Sequence, residues 1–95
     1  MENKKLMESI IIIKGKLSET DYKKVFGEIK EQFEQFKIEK IEELGKKNLA
    51  YEVKGNKQGY YIIIEFYADD ENVKNLEVYC RNNEDILKWI FIRKD

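Results

Sequence analysis

The sequence predicts an α+β fold of four strands and two helices in the order β-α-β-β-α-β. Three observations carry that order. Four consecutive isoleucines, Ile10 to Ile13, are β-branched and stiff at χ1, as suits a buried strand. Apolar residues recur at helical spacing in two separate places, each behind a capping residue. The run "YYIIIEFYA" alternates along two faces after a turn that holds two glycines.

The elements follow from there. Residues 6–14 read as the first strand. "LSETD" starts a helix, with Ser18 as N-cap and Asp21 three residues on, a variant of the capping box. Tyr22, Val25, Phe26, Ile29, Phe33 and Phe36 then fall on one helical face, about five turns long. Residues 37–45 are ambiguous, because Ile38, Ile41 and Leu44 recur every third residue, nearer a helical period than a strand period. Gly45 and the alternation Leu49, Tyr51, Val53 favour an irregular strand with a bulge. "KGNKQG" is a turn signal. In the strand after it, Tyr60, Ile62, Ile64 and Phe66 share one face, and Tyr61, Ile63, Glu65 and Tyr67 the other. Asp69 or Asp70 caps a second helix with a Val73, Leu76, Cys80 stripe. "RNNED" breaks it, and "ILKWIFIR" closes the chain as a strand. Two such helices cover one side of a four-stranded antiparallel sheet, a ferredoxin-like arrangement that leaves the other side open.

Ninety-five residues without Pro, repeat or linker-like tract make one domain, 1–95, with a single modest core. A hydrophobic fraction of 42% with 13% aromatics is too apolar for a disordered chain. The net charge of -1 excludes a global basic field, so any anion-binding surface must be a local patch. Arg81 and Arg93 are the only arginines among eighteen bases. The lone Cys80 cannot form an internal disulfide, which fits a reducing compartment and a small buried hydrophobe. "MENKKLMESIIIIKGK" has the rough order of a leader, but its apolar run is too short, and no stretch approaches a membrane span. A cytoplasmic protein without membrane association is the expectation.

Motifs in the second half carry a resemblance. "KIEKIEELGKKNLAYEVKGNKQGYYIIIEF" is similar to the bacterial small-subunit ribosomal protein six family. That family shows a Val-Glu-Lys-Val-Glu-Glu-Trp-Gly run, basic residues, Leu-Ala-Tyr-Pro-Ile, a lysine-containing turn and Gly-Tyr-Tyr. Glu42, Glu43, Gly45, Leu49, Ala50, Tyr51, Gly59, Tyr60 and Tyr61 stand in those places. Arg81, Glu84, Asp85, Ile86 and Lys88 match a later family pattern, and Glu8, Ile11, Leu17 and Ser18 match in spacing. Met7, Gly15 and Glu52 depart from it, as does Lys-Lys-Asn where arginines are usual, and the chain is expected to lack the tail many members carry.

The resemblance implies a structural protein of the small subunit, located on the ribosome. It would bind small-subunit ribosomal RNA together with small-subunit protein eighteen, as a heterodimer. Lys46, Lys47, Lys54, Lys57, Arg81 and Lys88 are then the RNA-binding candidates. As bare residues five of these have a plainer reading. Lys46 and Lys47 read as solvated strand-end charges, Lys54 and Lys57 as turn lysines, and Arg81 as a cation favoured by the end of a helix dipole. Successive strand residues point to opposite faces, so Lys46 and Lys47 are expected to part. Trp89 and Phe91 share a face of the last strand, core if helix-covered and a stacking or partner surface if open.

Catalysis is not indicated. The chain has no His, the commonest general base, and a lone Cys lacks its usual activator. "IKGKLS" holds a Gly-Lys pair without the upstream glycine or the following Ser/Thr of a phosphate loop. Glu42 and Glu43 would face opposite sides of a strand. No cofactor, metal or small-molecule substrate is expected. An RNA-recognition-motif binder shares the topology, but "QGYYIIIE" misses its third-strand signature. A ferredoxin-like regulatory or dimerisation module is the remaining alternative, for which no specific residue argues.

Overall fold

The structure is a computed structural model that describes residues 4–94. Met1 to Asn3, the opening of the stretch weighed as a leader, and Asp95 lie outside the described residues. The element order is β1 (Lys5–Lys14), α1 (Glu19–Phe33), β2 (Lys37–Val53), β3 (Asn56–Ala68), α2 (Asp70–Asn82) and β4 (Ile86–Arg93). The four strands form one antiparallel sheet in the order β2-β3-β1-β4. The fold is ferredoxin-like, as the sequence predicts.

Register explains which side is covered. Met7, Ser9, Ile11 and Ile13 of β1 stand opposite Phe66, Ile64, Ile62 and Tyr60 of β3, and all eight are buried on the helix side. Ser9 is polar but satisfied, its hydroxyl donating to the Ile64 carbonyl at 3.1 Å. Helix α1 adds Tyr22, Val25, Phe26, Ile29 and Phe33; α2 adds Leu76 and Cys80. Rings lock α1 to β3. Phe33 meets Phe66 edge-on with centroids 4.9 Å apart, and Tyr22 stacks on Tyr60 at 4.1 Å. Such pairs contribute about 0.5–1.5 kcal/mol beyond area burial. Trp89 and Phe91 pair with Ile11 and Ser9, so they border the core.

Local chemistry sets the boundaries. Ser18 accepts from the Asp21 N–H at 3.1 Å and starts α1. The helix ends at Phe33, a turn short of the predicted five, and Phe36 is buried from the following turn instead. Asp69, not Asp70, caps α2, in a reciprocal box with Asn72. The ambiguous segment is strand. An extra residue at Glu39 shifts the register, so Ile38 faces Phe66 while Ile41 faces Ile64. A bulge thus turns a three-residue spacing into one strand face. A second shift leaves Leu44 exposed and puts Gly45 at φ 85. The predicted turn of 54–59 narrows to Lys54 and Gly55, both at positive φ, the pattern of a type I′ hairpin turn.

Candidate nucleic-acid and partner interface

Two features distinguish the side of the sheet that no helix covers. One is a row of apolar residues, Ile10, Ile63 and the exposed Ile90 and Ile92, with Tyr61 and Tyr67, bordered by Glu8 and Glu65, both ion-paired to Lys94. The other is a charged and aromatic end where β2 loses its pairing. Asn48 pairs with Gln58 and Val53 with Asn56, so four residues of β2 face a single residue of β3. This excess arches over the open side. Leu49 lies over Gly59, whose missing side chain leaves room against Ile12. Tyr51 reaches β4, where the Lys88 ammonium donates to its hydroxyl at 2.6 Å and lies 4.5 Å from the ring centroid. Tyr51 still keeps 63% of its surface exposed, so the ring is held without being hidden.

The six candidate bases separate accordingly. Lys47 stands opposite Gly59 on the open side and is exposed. Lys54 is in the turn, and Lys57 follows it two residues from Gly59. Lys88 stands opposite Ile12 on β4. These four gather at the hairpin end. Lys46 points to the helix side, its Nζ 5.0 Å from the Tyr60 ring centroid, which is a cation–π contact. Arg81 lies in the last turn of α2, in the helix layer and not on the open side of the sheet. The expected parting of Lys46 and Lys47 is realised, and so is that of Glu42 and Glu43. Glu42 pairs with Lys40 at 3.2 Å, whereas Glu43 accepts from the Tyr22 hydroxyl at 2.8 Å. Burial, with the Glu43 carboxylate beside it, holds the Tyr22 phenol well above its usual range.

A further base at this end stands outside the six candidates. Lys16 lies in the β1–α1 connection, where Gly15 brings the backbone so near β3 that any Cβ would meet the Gln58 carbonyl. The Gly15 N–H donates to that carbonyl at 3.1 Å. The glycine before Lys16 is the available signal, but in "IKGKLS" the Gly-Lys pair reads only as a failed phosphate loop.

What this geometry defines is a ferredoxin-like α+β domain with a free sheet face and a lysine-rich hairpin end. The family model described as Ribosomal protein S6 matches residues 7–93, and the chain belongs to that family. The small ribosomal subunit protein bS6 of Helicobacter hepaticus is 38% identical over 91 residues, 94% of this chain and 66% of that protein. The bS6 protein of Thermotoga petrophila is 31% identical over 93 residues, covering 95% and 73%. The chain therefore spans just under two thirds of the Helicobacter relative's length. The crystal structure of 30S ribosomal protein S6 from Thermotoga maritima superposes with a TM-score of 0.88 at 29% identity, covering 97% of this chain and 89% of that one. No helix among the described residues is long and apolar enough to cross a membrane.

Proposed function

We propose that the chain is a structural protein of the small ribosomal subunit, binding small-subunit ribosomal RNA in the cytoplasm jointly with small-subunit protein eighteen. The observation that carries this reading is the gathering of Lys47, Lys54, Lys57 and Lys88 at one end of a chain whose net charge is -1. Lysines there neutralise phosphates and release counterions, which contributes affinity without sequence choice. Four such contacts correspond to a log–log salt slope of about −3 to −4. So small a local field binds weakly alone, and a partner on the apolar sheet face extends the contact. Catalytic turnover, a cofactor and a small-molecule substrate form no part of this role.

The test is a titration of a small-subunit ribosomal RNA junction fragment with this chain, with protein eighteen, and with both. Binding is expected to be weak singly and much tighter for the pair. Equal affinity with and without the partner would defeat the heterodimer, and no salt-dependent binding in any mixture would defeat the RNA role.

A further inference from the structure

A notch of about 560 Å³, with walls of mixed polar and apolar character, lies between the β1–α1 connection and the hairpin turn, lined among others by Lys16, Asn48, Glu52, Asn56, Lys57 and Gln58. Its floor is fixed by Asn56, a residue only 1% exposed whose side chain makes three hydrogen bonds. The Asn56 amide donates to the Val53 carbonyl at 3.3 Å and the Lys54 carbonyl at 3.1 Å, and its Oδ1 accepts from the Lys16 N–H at 3.1 Å. One buried side chain therefore ties the loop to the turn. The Lys16 ammonium lies 3.2 Å from where a Cβ on Gly55 would be, so it rests over the turn backbone. On the far wall, Gln58 Nε2 donates to Asn48 Oδ1 at 3.0 Å, which leaves the Asn48 amide hydrogens as donors unused within that pair.

We propose that this notch binds a phosphate group of the RNA backbone, with Lys16 and Lys57 as its cations and Asn48 as its neutral donor. The inference rests on the RNA-binding reading and adds to it a site and a residue, Lys16. Two lysine point charges with amide donors suit a phosphate oxygen. A strand of RNA is the source, because Lys47 and Lys54 directly precede Asn48 and Gly55 of the notch lining, and a polyanion can follow that track of lysines. Glu52 also lines the notch and opposes the anion, which gives a test of opposite sign.

The experiment uses the full chain with protein eighteen present and a small-subunit ribosomal RNA junction fragment, titrated over a range of salt. Lys16→Ala is expected to reduce the log–log slope by about one unit and Lys16→Arg to keep it. Glu52→Gln is expected to tighten binding, and Lys24→Ala, on α1, to leave it unchanged. Urea unfolding of each variant separates lost contact from lost fold. A parallel arm follows the amide resonances of Lys16, Gly55 and Gln58 as inorganic phosphate is added. RNA binding with the same slope in Lys16→Ala would overturn the inference and leave the RNA role standing. Loss of all RNA binding in the wild type would overturn both. A saturable response to inorganic phosphate without any effect of Lys16→Ala on RNA binding would assign the notch to a free anion and overturn the RNA source.

Discussion

Lys46 and Lys47 are adjacent in sequence and opposite in consequence. Lys46 covers the Tyr60 ring from the helix side, and Lys47 faces water on the open side. Lys47→Ala is expected to lower the magnitude of the RNA salt slope by about one unit while changing stability by no more than about 0.5 kcal/mol. Lys46→Ala is expected to leave the slope in place and cost about 0.5–1 kcal/mol through the lost cation–π contact. Salt titrations and denaturant curves on the two single variants read both effects, and a shared slope change would show that side-chain direction does not sort them. Cys80 makes a second point at this scale. Burial, followed by the nearby Glu77, pushes its thiol up to about 12. A raised folded value means the folded state holds the proton longer. That contribution is complete below the unfolded pKa, about 8.5, and is lost as pH climbs towards 12. Urea midpoints should therefore fall more steeply between pH 8 and pH 10 in the wild type than in Cys80→Ala. Parallel declines would remove Cys80 as the cause.

At the scale of elements, the interest lies in β2, which is long and repeatedly out of register. Gly45 sits at φ 85 in its second bulge, with open space where a Cβ would go. Gly45→Ala meets no clash, so its cost is backbone strain alone, about 1–2 kcal/mol. Gly45→Asn should recover part of that, since Asn tolerates the left-handed region. Unfolding free energies for the pair check it, and equal losses would point to something other than φ. This strand also marks how far the sequence could be read. Element order, the covered face of β1 and β3, and both helix stripes were legible because their spacings follow strand or helix periods. The spacing of Ile38 and Ile41 was not, because an inserted residue mimics a helical period. The arch from Leu49 to Glu52 was hidden for a similar reason. Tyr51 alternates correctly with Leu49 and Val53, but its partner Lys88 lies on the last strand, and nothing local records that pairing. Lys16 joins the hairpin through Gly15 and Asn56, again contacts between distant parts of the chain.

For the whole molecule, asymmetry of the sheet is the governing property. One side is closed by two helices and a continuous apolar cluster; the other presents Ile90, 52% exposed, and Ile92, 44% exposed. Because Ile90 is so exposed, Ile90→Lys should leave the unfolding midpoint nearly unchanged, yet under the proposed docking it would place a charge in the contact with the partner. Pairing with protein eighteen is expected to weaken by tenfold or more, corresponding to about 1.4 kcal/mol. Calorimetry of the pair measures this, and unaltered affinity would place the partner elsewhere on the surface.

The position of β1 has a consequence for biosynthesis. It lies between β3 and β4, so both flanks of the most isoleucine-rich strand are completed by segments made after it, the second not before Ile86. At ~5–20 residues per second, β1 is synthesised roughly 4–16 seconds before β4 is complete. During that interval its edge is unpaired and its four isoleucines invite association with other nascent chains. The final strand therefore acts as a seal. A chain halted before Ile86 would expose the flank of β1 from Met7 to Ile13, a polypeptide for chaperones to hold rather than a smaller version of the folded protein.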